Sequence, residues 1–428
     1  MTAARLSVSE AIFLVVIASL PVMRPTLLQV RTYTIPPADV LFIAAAVSAL
    51  VDLVAGRKTL PRSPAIWWIG AYAAAVGLSA VLSVDWPLSR IKFAGNLYLF
   101  GLAGLALLHV RSVDALKRAF VAWMAGTAIT IAAAVAALAL FAAGYRGPYA
   151  GNPFLSVHGS LPGGTYPRVM GLFLNPNMYC AYLVVSLALV VAAYRTAWLS
   201  RRAAMIAGAA IVCAGVLSLS PGFGGMLIVV AFAVHAAWRT TRPELARAAI
   251  VAASLGAACF VAAITASPEP GAGFSLHGLR PSSRMLTWAG AATVFPKHPW
   301  FGKGVGTDVV AIHYVNPEGE AETLTDAHNT WLSILVQCGV IGLAAFVALV
   351  VVVLRESRGS GDDTTIDRVV WGLRTAFVAG FLYQTLSGSF ENTRHVWMLI
   401  GLLLAACEIR AQRQASIGRA YPGAPAAR

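Results

Sequence analysis

Apolar residues in this chain come in runs of about 16 to 28, and most charged residues lie in the stretches between them. At 1.5 Å of rise per residue, such a run matches the hydrocarbon core of a bilayer. The pattern predicts about twelve membrane-spanning helices, at 8–23, 38–55, 64–84, 93–110, 116–143, 170–194, 203–219, 222–238, 246–266, 328–354, 370–388 and 395–410. Ser220-Pro221-Gly222 breaks one apolar stretch, and it must either separate two helices or kink one. The longest polar segment, 267–327, precedes the tenth helix. The expected fold is therefore an all-α polytopic membrane protein. Nine helices fall in 1–266, a long loop in 267–327, three helices in 328–410, and a basic tail in 411–428.

Composition narrows the class further. The chain is 58% hydrophobic and 12% charged, against about 25% charged in soluble domains. So few charges cannot cover a soluble surface of this size. No cleavable signal peptide is evident, because the first apolar run lacks a small-residue cleavage site followed by a soluble domain. Cys180, Cys213, Cys259, Cys338 and Cys407 all lie in apolar runs without metal-ligand spacing, and they read as small packing residues.

Charge sets the orientation. If the N-terminus is cytoplasmic and the helices alternate, 21 of the 32 basic residues fall on the cytoplasmic side. That bias satisfies the positive-inside rule. It puts both termini in the cytoplasm and the 267–327 loop outside. The net charge of +14 then reads as attraction to anionic lipid of the inner leaflet, with no need for nucleic acid.

The basic residues that break this bias need another reason. Arg168 opens RVMGLFLNPNMYCAYL. Arg284 lies in a segment with Arg280, Lys297 and Lys303 nearby. Asp326, His328 and Asn329 stand at the mouth of the tenth apolar run, which places Arg168, Arg284 and His328 at three expected helix starts on one side. Arginine forks suit phosphate oxygens, and a histidine beside a carboxylate suits proton transfer. The plainer reading is that Asn329 caps a helix and each arginine snorkels to head groups. Glu318, Glu320 and Glu322 form a solvated acidic run. No P-loop, HExxH or Asp-x-Asp pattern offers a nucleotide or divalent-metal site, so neither cofactor nor metal is expected.

Four stretches resemble the O-antigen ligase and O-antigen polymerase superfamily of bacterial envelopes. They are Arg168-Val-Met-Gly171 running into Asn175-Pro176-Asn177, and Ser283-Arg284 followed by Trp288, Pro299 and Gly302-Lys-Gly304-Val-Gly306. The third is Ala327-His328-Asn329-Thr330-Trp331-Leu332 with Gly339-Val-Ile-Gly342, and the fourth is Phe390-Glu391 with Trp397 and Gly401. The resemblance covers roughly 160–405. It implies a C-type, metal-independent glycosyltransferase of the bacterial inner membrane. Such an enzyme takes a glycan from an undecaprenyl-diphosphate carrier and passes it to lipid A-core (ligase) or to another lipid-linked glycan (polymerase), with membrane lipids around it. The roles implied are catalytic for His328 and Arg284. Arg168, Asn175, Asn177, Arg280, Lys303, Asn329 and Asp326 would hold substrate, with Asp326 also orienting His328.

Two departures stand out. Members often carry a Ser-Arg pair where this chain reads Ser220-Pro221, and an acid after the His-Asn pair where it has Ser333 and Gln337. Gly302, Gly304 and Gly306 read as a turn more readily than as a phosphate cradle, because no strand precedes them. Trp288, Trp300 and Trp331 read as interface anchors or sugar-stacking platforms. A flippase would also span about twelve times, but it would carry charges within its helices and internal repeats. A non-catalytic scaffold has no use for a His-Asn pair beside arginines. Both remain alternatives, and both rank below an enzyme.

Overall fold

The computed structural model describes residues 6–420 apart from 31–32, 60–62, 145–154, 159–165, 221, 239–240, 269–278, 282, 316–320, 360–363 and 389–392. Thirteen α-helices occupy the described residues. The first five are α1 (Val8–Ser19), α2 (Pro37–Val54), α3 (Pro64–Val81), α4 (Trp86–His109) and α5 (Val113–Ala142). Next come α6 (Pro176–Arg195), α7 (Arg201–Leu217), α8 (Phe223–Trp238), α9 (Pro243–Thr265) and α10 (Ser283–Val294). The last three are α11 (Thr330–Glu356), α12 (Thr365–Ser387) and α13 (Arg394–Ala420). Four two-stranded antiparallel hairpins punctuate them: β1 (Leu28–Val30) with β2 (Tyr33–Ile35), β3 (Leu155–His158) with β4 (Tyr166–Val169), β5 (Ala266–Pro268) with β6 (Leu279–Pro281), and β7 (Ile312–Val315) with β8 (Ala321–Leu324).

Each apolar run carries a helix, and seven helices (α2 to α6, α11 and α13) are long and apolar enough to cross a membrane. The Ser220-Pro221-Gly222 break separates α7 from α8 rather than kinking one helix. Pro221 itself lies outside the described residues. Three expectations change. The 267–327 segment is not a bare loop, because it contains α10 and two hairpins. Arg168 is not at a helix start, since it pairs with Ser156 across the β3–β4 hairpin and α6 begins only at Pro176. His328 lies two residues before α11 rather than just inside it.

Local chemistry explains the starts. Asn175 caps α6 by accepting from the Met178 N–H, with Pro176 at the first position, and Asp85 caps α4 in the same way. Ser7 with Glu10 and Thr364 with Asp367 form capping boxes on α1 and α12. Burial then sorts the helices. The spans of α6 and α13 are 78% and 72% buried, against 22% for α2, so α6 and α13 form the inner layer and α2 faces outward. The inner α6 is stapled to α5 by the Trp123 indole N–H, which donates to Ser186 Oγ at 2.9 Å. In a bilayer interior such polar contacts join helices where apolar burial cannot.

The feature that places the candidate site is a break in α11. Gly339 has φ +67° and ψ −170°, so the helix stops and restarts there. The groups this frees are taken up by the 299–304 segment. The Lys303 and Gly304 N–H groups donate to the Val336 and Gln337 carbonyls at 2.8 and 3.1 Å. The Val340 and Ile341 N–H groups donate to the Pro299 and Trp300 carbonyls at 2.9 and 3.3 Å. Broken backbone survives near a membrane only when protein satisfies it in this way. The break also bends the helix back. Trp331 and Phe346 are 15 positions apart, about 22 Å along a straight helix, yet their ring centroids lie 6.0 Å apart.

Gly302 (φ +74°) makes this crossing possible, since a Cβ there would meet the Gln337 carbonyl carbon at 2.2 Å. The Gly302-x-Gly304-x-Gly306 turn is thus a backbone clasp on α11. Gly302→Ala should destabilise the protein by about 2–4 kcal/mol, through overpacking and left-handed strain combined. Gly95→Ala on α4, where a Cβ meets nothing within 4 Å, should be close to neutral. A thermal shift followed by size exclusion would compare them, and equal melting of the two variants would remove the clasp from the account.

Candidate functional site

His328 is aimed by its neighbours. Its backbone is left-handed at φ +47°, a conformation uncommon for a side chain with a Cβ. Asp326 holds it there, because Asp326 Oδ1 accepts from the His328 N–H at 2.9 Å in an Asx turn. The other carboxylate oxygen lies 3.5 Å from His328 Nδ1. Asn329 then caps α11 by accepting from the Trp331 and Leu332 N–H groups at 3.0 and 3.3 Å. Thr330 Oγ donates to the Gln384 carbonyl at 3.3 Å, tying this corner to the end of α12. The His328 side chain is 48% exposed, so it faces an opening. Desolvation still dominates its titration and lowers its pKa, while Asp326 raises it and Arg284 lowers it. The ring is therefore held neutral to lower pH than a free histidine.

Arg284 is the second residue of α10. That helix is fastened above α11 by the Trp288 indole N–H, which donates to the Ala327 carbonyl at 2.9 Å, next to His328. Trp288 is thus a positioning group in this structure. Burial lowers the Arg284 pKa, and Tyr383 and Asp326 oppose that. Arginine remains cationic under such shifts. One guanidinium nitrogen, Nη1, is buried without a hydrogen-bond acceptor. An uncompensated buried donor on a cation is costly, and its natural complement is an anion.

A second cluster adjoins through Tyr383 of α12. Arg168 Nε donates to the Ser218 carbonyl at 3.0 Å, and its Nη2 donates to Asn177 Oδ1 at 3.2 Å. Ser220 Oγ donates to the same Asn177 oxygen at 2.9 Å, and it lies 3.2 Å from the Tyr383 hydroxyl. Tyr383 is within electrostatic reach of Arg284. The starts of α6 and α11, the α7–α8 turn and the end of α12 therefore meet around one polar corner. Ser220 keeps a place here although no arginine follows it, and Arg168 reaches the same turn from the β4 side.

Other expected residues stand elsewhere. Asn175 spends its side chain on the α6 cap. Arg280 lies in β6, paired with Ser267. The Lys303 amine donates to the Asp308 carbonyl at 3.4 Å, and its backbone serves the clasp on α11. Glu318, Glu320 and Glu391 lie outside the described residues. Among the described residues no group of three His, Cys, Asp or Glu side chains could hold a metal ion. Tyr383, Ser218 and Gln337 were missed in the sequence. Tyr383 is one tyrosine in an apolar run and carries no local signal. Gln337, which accepts from the Gly306 N–H at 2.7 Å, becomes meaningful only once the break beside it is known.

Residues 175–347 match a family model described as O-antigen ligase. The match covers about two fifths of the chain and supports a likeness to the O-antigen ligase/polymerase superfamily. No curated protein matches the chain. The matched segment includes Asn177, Ser220, Arg284, Asp326, His328 and the Gly339 break, while Arg168 and Tyr383 flank it. That superfamily is glycosyltransferase-like, so the match supports an enzyme in general, and the long apolar helices support a multi-pass membrane protein.

Proposed function

We propose that this protein transfers a glycan from undecaprenyl diphosphate to a sugar hydroxyl, on the periplasmic face of the inner membrane. The acceptor in this reading is lipid A-core. The observation that carries it is the buried, unpartnered nitrogen of Arg284 beside a histidine aimed by Asp326. Asp326 beside Nδ1 favours the proton there and leaves Nε2 as the base. The acceptor hydroxyl attacks the anomeric carbon and gives its proton to His328 Nε2. The bond from that carbon to the diphosphate oxygen breaks, and the leaving diphosphate takes the electron pair. Arg284 meets the charge that grows on the phosphate, as fixed cations do in preorganised sites. Arg168, Asn177, Ser220 and Tyr383 line the adjoining corner and hold the diphosphate or its first sugar. No step calls for a metal, so transfer should persist in EDTA.

Polymerase action uses the same chemistry with a second lipid-linked glycan as acceptor. A gel of surface glycans from a deletion strain separates the two. Loss of all long glycan from lipid A, with donor accumulating, supports the ligase. A single repeat left on the core means polymerase instead.

The reading requires the site to face outward. With both termini cytoplasmic, a single cysteine at Glu318 should react with an impermeant reagent in intact spheroplasts, and one at Asp362 should not. The reverse pattern would put His328 on the wrong side of the membrane for a periplasmic reaction.

A further inference from the structure

Arg284 is not alone in its signature. At the start of α13, Arg394 also has a buried guanidinium nitrogen, Nη1, with no acceptor. Its other terminal nitrogen, Nη2, donates to Asp39 Oδ2 at 3.2 Å and lies 3.1 Å from Oδ1, which is itself buried without a hydrogen-bond donor. Its guanidinium sits 5.7 Å from the centre of the Tyr98 ring. One carboxylate thus engages one nitrogen of a fork that carries five N–H donors.

Two observations tie this cluster to the candidate site. The first is an aromatic layer. Trp331, three residues after His328, leads through Phe346 and Tyr72 to Trp397, three residues after Arg394, in ring-to-ring steps of 6.0, 5.4 and 6.3 Å. His328 and Arg394 therefore stand near two ends of one buried aromatic layer. The second is placement. Arg394 opens α13 and Asp39 lies in the first turn of α2, so this ion pair stands at helix starts, as His328 does beside α11.

We propose that Arg394, with Asp39 and Tyr98, forms a second anion-binding subsite, which takes a phosphate of the acceptor glycolipid. The inference rests on the proposed transfer reaction, since only a two-substrate enzyme needs two separate anion sites on one layer. Arg284 serves the donor diphosphate. Arg394 holds the acceptor across the aromatic layer through Nη1, the nitrogen that Asp39 does not engage. Asp39 limits the net charge and makes the subsite selective for a strong anion rather than any acidic lipid.

The test is native mass spectrometry of the full chain with two probes, diphosphoryl lipid A and undecaprenyl diphosphate. Arg394→Gln should weaken lipid A binding about tenfold, the loss of one charged hydrogen bond, and leave undecaprenyl diphosphate unchanged. Arg284→Gln should do the converse. Asp39→Asn leaves Arg394 without its counter-charge, so lipid A should bind as tightly as before or more tightly. A purely structural ion pair predicts instead that Asp39→Asn and Arg394→Gln lower the melting temperature alike and leave both probes bound. That result would overturn the subsite, as would an Arg394→Gln loss that falls on undecaprenyl diphosphate. Should Arg394→Gln fail to fold, Asp39→Asn and Arg394→Lys carry the test, and weaker lipid A binding in Asp39→Asn would also overturn it. A wild-type protein that ignores undecaprenyl diphosphate sinks the transfer reading itself. Lipid A binding that ignores Arg394 sinks only this subsite.

Discussion

His328→Ala is expected to abolish glycan transfer while the protein stays folded in the membrane. Nearly half of the side chain is exposed, so its loss should leave the helices in place. Removing a general base typically costs about 10²–10⁴ in rate, which a cell would register as null. The pH profile adds an independent check. Because desolvation holds the His328 pKa below its ordinary value, the base form persists as pH falls through 6.5, and the rate should drop only in more acidic solution. Asp326 opposes that shift, so Asp326→Asn should move the acid limb to still lower pH. Arg284 reinforces it, so any residual activity of Arg284→Gln should show the limb at higher pH. Asn329→Ala should cost about 1 kcal/mol of stability through the lost α11 cap, with a much smaller effect on rate than His328→Ala. Purified His328→Ala that transfers glycan near the wild-type rate would return the histidine to the status of a helix-start residue.

Arg284→Lys should be nearly as damaging as an outright loss of charge. A lysine keeps the cation but not the planar fork, and it cannot give two parallel hydrogen bonds to phosphate oxygens. The expected cost is about 1.5–3 kcal/mol, roughly ten- to a hundred-fold in rate. Arg355→Lys, on an exposed side chain at the far end of α11, serves as the control and should be silent. If the two lysine variants transfer glycan equally well, Arg284 has no part in phosphate recognition. A loss that recovers fully at high donor concentration would assign Arg284 to ground-state binding rather than to the growing charge of the transition state.

Much of the architecture is legible in the sequence, and particular residues show why. Helix starts rest on neighbours within four positions. Asn175 with Pro176, Asp85 with Pro87, and Asn329 could therefore be read locally, and the structure places a helix start at each. The Asp326-Ala-His328 spacing is equally local, since an Asx turn closes within the tripeptide. Arg168 shows the limit. Its helical neighbourhood is apolar and Gly-rich enough to suggest a helix start, yet pairing with Ser156 across a hairpin holds it in a strand. The single long tenth helix also read correctly in hydropathy and wrongly in shape. Only the 299–304 segment, more than 30 residues upstream, supplies the donors and acceptors that let Gly339 break it.

By itself, the sequence determined a mostly helical membrane chain with a one-sided charge bias, and it picked out His328, Arg284 and Arg168 as the polar residues to watch, while Asn177 came from the family resemblance alone. Those properties depend on composition and on near neighbours, which hydropathy and capping rules read directly. Only the tertiary structure decided which of those residues meet. It drew Arg168 and Asn177 together with Ser220 and Tyr383, broke α11 at Gly339, and set Arg394 on Asp39 more than 350 positions away. It also showed that the expected Gly302-Gly306 turn, with the Lys303 backbone, acts as a clasp on α11. The physical reason is that buried hydrogen bonds and charges must find partners wherever the packed helices bring them, and that partnership leaves no period or spacing in the chain.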